Sequence, residues 1–226
     1  LQSMEDAKKL SELMIKIGEF YGREVRTKIS DMNVPLGRAI GNSLEVLEAI
    51  SVLKGEDGHN NLTNLCVELA SEMVSMGKNI SYEEARKLVL ENIENGKAYQ
   101  KFLEMVRYQG GSIDSLSVSS NKQEIVANRY GVVKNIDALK LGKLSVSLGA
   151  GRESKEDKID YSVGIYLNKL VGDSVVKGDV IATVYKKILI YICFLCSIHI
   201  FINNNALPVG KIIYNIVCIM SHIILW

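Results

Sequence analysis

Apolar residues recur at helical spacing through the first half of the chain, and mostly at strand-like spacing beyond it. Ser3, with Asp6 three residues on, opens the first helical run close to a capping box. Ala7, Leu10, Met14 and Ile17 then line one face with Leu13 alongside, and Gly18 and Gly22 mark the exit. Val25 to Ile29 reads Val-Arg-Thr-Lys-Ile and predicts a short strand. The bent segment Ser30 to Gly41 follows, and a helix is expected from about Asn42 to Leu53, stopping at Gly55. After the polar turn Glu56 to Asn61, helical patterns run from Leu62 to Met76, from the capping box Ser81-Tyr82-Glu83-Glu84 to about Glu94, and from Ala98 to Tyr108. Gly110-Gly111 closes the last of these.

The character of the chain changes at the serine-rich stretch Ser112 to Lys122. Beyond it, β-prone runs lie at Glu124 to Val133, Leu144 to Leu148, Val163 to Leu170 and Val180 to Tyr185. Gly172 to Asp179 reads as a turn, a short strand and another turn. The fold class expected is therefore α/β over 1–111, the strand and helices forming half of a βαβ arrangement, followed by a β-rich α+β domain over 112–187. Residues 188–226 are isoleucine-rich, nearly uncharged and without periodicity. The first apolar run there, Ile188 to Ile202, falls short of the roughly 20 residues that a membrane helix needs. This tail reads as non-native, with a membrane hairpin as its rival.

Composition narrows the function classes. A formal net charge of +1 over 226 residues gives no global field toward nucleic acid, and the scattered aromatics form no basic-aromatic stacking surface. Of four cysteines, Cys66 stands alone and Cys193, Cys196 and Cys218 lie in the tail, so no disulfide framework is present and a reducing compartment is expected. No secretory signal pattern follows Leu1. Opening directly on a helix cap is what an internal piece of a longer protein does.

Candidate chemistry concentrates between Ile29 and Glu48. A loop bent by Pro35, Gly37 and Gly41 aims backbone carbonyls into a small volume, and the helix after it adds carboxylates, an arrangement suited to a weakly hydrated cation or to the wall of a cleft. Acids at Glu45 and Glu48 otherwise serve the helix dipole, each worth about 0.3–1 kcal/mol. Asp31, at a strand's C-terminal end, is either catalytic or the acceptor that closes the loop, the second being expected. His59 reads as an exposed turn residue. Cys193, Cys196, His199, Cys218 and His222 form a weak metal pattern. Lys177 reads as turn polarity, since no Met-Lys pair of a carrier domain occurs in the β-rich segment.

Three blocks carry a resemblance. Lys28 to Leu53 (KISDMNVPLGRAIGNSLEVLEAISVL), Ala98 to Gly111 (AYQKFLEMVRYQGG), and Leu148 to Arg152 (LGAGR) with Asp160 to Val184 resemble, in order, the C-terminal part of pyrimidine-nucleoside and thymidine phosphorylases. The resemblance implies the end of a glycosyltransferase-type α/β domain with connecting helices, then a barrel-sandwich-like C-terminal domain. It implies reversible phosphorolysis of a pyrimidine nucleoside to base and pentose 1-phosphate in a cytoplasmic homodimer. The family's Ser-Thr-Gly-Gly phosphate loop and its base-gripping Arg, Ser and Lys have no counterpart in the sequence, so no catalytic or substrate-binding residue carries over, and an inactive C-terminal fragment is expected. What does carry over is half of a potassium site: the carbonyls of Leu36 and Ala39 and the carboxylate of Glu48. The resemblance leaves Glu45 as a dipole or surface residue. The rivals are a non-catalytic carrier-like binding module and a protein anchored to a membrane by the tail.

Overall fold

The computed structural model describes residues 3–56, 58, 60–186 and the backbone of 214–220. In chain order the elements are α1 (Met4–Phe20), β1 (Val25–Asp31), β2 (Ala39–Ile40), α2 (Asn42–Leu53), α3 (Asn61–Lys78), α4 (Tyr82–Glu94) and α5 (Lys97–Tyr108). They continue as β3 (Lys122–Val126), β4 (Gly131–Val132), α6 (Ala138–Ser145), β5 (Gly164–Leu167), β6 (Ser174–Val175), β7 (Val180–Tyr185) and β8 (Tyr214–Met220). The architecture is mixed α/β, with helices and antiparallel sheets. Two compact units form; within the described residues, one holds 3–33, 52–100 and 214–220, and the other 34–51 and 101–186.

In the first unit, α1 starts where expected, with the Ser3 hydroxyl accepting from the Asp6 amide at 3.1 Å. The buried positions are Ala7, Ser11 and Gly18, whereas Leu10, Leu13 and Ile17 are exposed. Small residues face β1 because the strand approaches closely: a side chain on Gly18 would run into Val25. β1 pairs antiparallel with β8, from Val25 opposite Met220 to Asp31 opposite Tyr214, rather than with the parallel neighbours of a βαβ unit. Ion pairs of Arg26 with Glu72 at 2.8 Å and Lys28 with Glu68 at 2.7 Å connect β1 to α3. Both are half-exposed, which limits each to about 1 kcal/mol or less.

The capping box at α4 forms as its sequence predicts. The Ser81 hydroxyl accepts from the Glu84 amide at 3.2 Å, and the Glu84 carboxylate accepts from the Ser81 amide at 3.1 Å and the Ser81 hydroxyl at 2.9 Å. Those donors hold the Glu84 carboxyl below the usual glutamate range, the hydroxyl bond first. A carboxyl depressed in the folded state stabilises fully above its unfolded pKa and loses that contribution as pH falls through the folded value. An NMR titration is expected to place Glu84 below the usual glutamate range. Ser81→Ala is expected to raise it only part of the way, because the residue-81 amide still donates to Glu84, and to remove about 1 kcal/mol of N-cap stability at neutral pH.

In the second unit the sheet order is β2-β5-β7-β3, every pairing antiparallel, with β4 and β6 forming a separate pair. Ile136, Leu141, Val163, Ile165, Leu167, Ile181 and Val184 lead its core. Leu144 to Leu148, expected as strand, is the end of α6 and a π-type turn. The alternation Leu-Ser-Val-Ser-Leu suggested a strand. The competing helical signal, Leu141, Ser145 and Leu148 buried on one face behind an Asp137 N-cap, is the one that folds. Residues 34–51 belong with this β-rich unit, because β2 is its edge strand.

Candidate cation half-site

The bend between Val34 and Gly41 is tied down from two sides. On one side stands α2. The Glu48 carboxylate accepts from the Arg38 amide at 2.6 Å and the Ala39 amide at 3.1 Å. One turn earlier, Glu45 and Gly41 bond reciprocally: the Glu45 carboxylate accepts from the Gly41 amide at 2.9 Å, and the Gly41 carbonyl accepts from the Glu45 amide at 2.8 Å. Glu45 is thus a structural acceptor at the helix start, more than the dipole or surface acid expected. Gly37 makes room for the Glu48 carboxylate, since a Cβ there would lie 2.8 Å from its carboxyl carbon.

On the other side stands β5. The Arg38 carbonyl accepts from the Leu167 amide at 2.8 Å. Arg38 Nη1 donates to the carbonyls of Leu167 and Asn168, each at 3.0 Å. The Asn42 side chain donates to the Ala150 carbonyl at 2.8 Å, and the Ser43 amide to the Tyr161 carbonyl at 3.1 Å. Gly41 lies against Val163 and Gly164, where its φ of +135° and the absence of a side chain are both required.

Register decides which way the expected ligands face. With Arg38 bonded to Leu167 and Ala39 opposite Tyr166, Ala39 sits in a non-hydrogen-bonded position of the ladder. Its amide and carbonyl therefore point away from β5, toward the outer edge of β2, where its amide meets Glu48. Ala39 C=O and the Glu48 carboxylate thus share one edge. Leu36 lies half-buried in the same bend, three residues ahead. A carboxylate offers about four lone-pair sites, and the two amides occupy two. The donor set suits a large, weakly hydrated cation better than a transition metal. No group of three or more His, Cys, Asp or Glu that could hold a metal ion occurs among the described residues.

The other candidates fall as follows. Asp31 is the loop-closing acceptor, taking the Asn33 amide at 2.8 Å and the Asn33 side-chain amide. Lys177 is exposed in the turn between β6 and β7, which Asp179 closes by accepting from the Val176 amide at 3.1 Å. His59 and the Cys193, Cys196, His199 and His222 pattern lie outside the described residues, and only the backbone of Cys218 is inside them. Sequence reasoning passed over Arg38 and took Gly37 only as a bend residue. The signal available for Arg38 was a lone cation in an otherwise uncharged loop.

Comparison with known proteins accounts for this scaffold. Residues 132–189 match the pyrimidine nucleoside phosphorylase C-terminal domain. A thymidine phosphorylase of Metamycoplasma hominis is 42% identical over 192 residues, covering 82% of this chain and 70% of that protein. Pyrimidine-nucleoside phosphorylases of Staphylococcus haemolyticus and Bacillus subtilis are 44% and 43% identical over the same length. The chain belongs to the pyrimidine-nucleoside phosphorylase family. It spans 44% of the length of the Staphylococcus and Bacillus relatives.

Proposed function

We propose that this chain is the C-terminal part of a pyrimidine-nucleoside phosphorylase, working in a cytoplasmic homodimer. Its β-rich unit is the barrel-sandwich-like domain of that enzyme. In the reaction, a phosphate oxygen bonds to the anomeric carbon as the C–N glycosidic bond breaks. The bonding pair leaves with the base nitrogen, which is then protonated, and pentose 1-phosphate remains. The sequence contains no Ser-Thr-Gly-Gly run; in this reading the groups that hold phosphate and base belong to the part of the enzyme outside this chain.

What this chain contributes is half of a potassium site. Leu36 and Ala39 supply carbonyl oxygens, and Glu48 supplies the balancing charge while ordering the Arg38 and Ala39 amides. When bound, the ion offsets negative charge and stiffens the loop. The observation that carries this reading is the Ala39 amide bonded to Glu48 on the outer edge of β2, the edge to which the ladder register also turns the Ala39 carbonyl. The rival readings gain no comparable support. Lys177 sits in a turn explained by Asp179. The membrane reading rests on residues 188–226, which lie outside the described residues apart from the backbone of 214–220; no helix among the described residues is long and apolar enough to cross a membrane.

The test has two arms. The purified chain, given thymidine or uridine with phosphate, is expected to release no base; measurable turnover would overturn the assignment of the chemistry to other residues. The chain fused behind the part of the Bacillus relative that precedes its aligned segment is expected to phosphorolyse thymidine or uridine, faster in potassium than in sodium. A folded but inactive fusion would sink the functional reading.

A further inference from the structure

We infer that Arg38 is the positioning residue of the cation half-site; the inference rests on the reading above. Its role follows from where its bonds go. Arg38 reaches β5 through its own carbonyl and through one guanidinium nitrogen that spans the carbonyls of Leu167 and Asn168. Its amide goes the opposite way, to Glu48. Arg38 is thus the one residue in the bend with recorded bonds to both the β-sheet and the carboxylate that faces the candidate ion.

This clamp sets the direction of the carbonyls on either side. β2 has only two residues, too few to fix its own register by ladder bonds alone. Fastening Arg38 to Leu167 fixes Ala39 in its non-hydrogen-bonded position, so that its carbonyl faces outward beside Glu48. A slip of one residue would turn the Ala39 carbonyl inward against β5. The Arg38 charge also lies on the β5 side through its guanidinium, where it does not take the Glu48 carboxylate as an ion-pair partner. Asn168 is itself held, its side-chain oxygen accepting from the Thr183 hydroxyl of β7 at 2.9 Å. The anchor therefore rests on the interior of the sheet. Arg38 touches no reacting atom; it acts through Ala39 and Glu48.

The experiment uses the full chain, labelled for NMR, as wild type, Arg38→Met and Arg38→Lys. Methionine keeps the length without donors, and lysine keeps donors for the two carbonyls. The readouts are amide exchange at Arg38 and Ala39, with β7 amides as an internal control, and, in the fusion described above so that both halves of the site are present, the carbonyl carbon shifts of Leu36 and Ala39 in potassium chloride against equal sodium chloride. Arg38→Met is expected to speed exchange at the two loop amides at least tenfold, leave β7 unchanged and abolish any potassium-specific carbonyl shift, with Arg38→Lys recovering part of both. If wild type shows no potassium-specific shift but Arg38→Met still frees the loop, the ion reading fails and the clamp stands. If Arg38→Met folds and leaves loop exchange unchanged, the clamp is wrong whatever potassium does. Should Arg38→Met not fold, Arg38→Lys decides by the same exchange comparison.

Discussion

Gly164→Ala is expected to destabilise the β-rich unit by about 3 kcal/mol, the upper end of the usual range for overpacking. The added methyl would run into the Ile40 carbonyl, and would lie 2.9 Å from Leu44 Cδ1 and 3.1 Å from Gly41 Cα. Two of these neighbours are backbone, and Gly41 has no room to retreat, because a Cβ of its own would stand 2.6 Å from the Val163 carbonyl. The two glycines are pressed together where β2 and the start of α2 meet β5. Relief requires the bend to lift off the sheet, and the half-site leaves with it. For a domain of this size the expected loss is roughly 12 °C or more in thermal midpoint, read by calorimetry. Gly172→Ala is the control. Its φ of +96° strains any side chain, but nothing lies near its Cβ, so a smaller loss of about 1 kcal/mol is expected. Equal losses at both positions would refute the close-approach argument.

Glu48→Ala is the second large effect. It leaves the Arg38 and Ala39 amides without their carboxylate acceptor and reopens the space beside Gly37. Both residues are half-buried, so water replaces part of what is lost, and a destabilisation of about 2 kcal/mol is expected. Glu48→Gln separates the two jobs of the side chain. Its carbonyl oxygen still accepts from one amide, while its NH2 confronts the other, so its stability falls between wild type and Glu48→Ala. Its charge is gone, and the potassium-specific response at the Leu36 and Ala39 carbonyls is expected to vanish as fully as in Glu48→Ala. A Glu48→Gln variant that keeps that response would show that the carboxylate serves the loop and not the ion. Denaturant melts and the carbonyl shifts together provide the check.

What the sequence made legible was local. The limits of α2, the Ser81 capping box and the run of β7 each depend on residues within a few positions of one another, and each stands where the pattern placed it. The apolar stripe of α1 was legible, but which face is buried was not. The close approach of Val25 to Gly18 selects the small-residue face instead. Leu144 to Leu148 was misread because a two-residue alternation also lies on a helix with serine on its buried side. The candidate site divides in the same way. Glu48 and the bend were visible through family resemblance, and Glu45 was visible as an acid near a helix start. The role of Arg38 was not, since its partners are two carbonyls 129 and 130 positions away, and a backbone acceptor leaves no mark on the sequence.

That separation governs when the half-site exists. The bend is translated 129 residues before the strand residue that anchors it, so Arg38 has no anchor until β5 has emerged. Contacts so distant in sequence must overcome a large loop-closure entropy before they return any stability, and they slow folding accordingly. Until β5 has joined β7, the bend has a carboxylate but no fixed direction for its carbonyls. The proposed ion affinity is therefore a late property of the folding chain, acquired when the β-sheet takes up its edge strand.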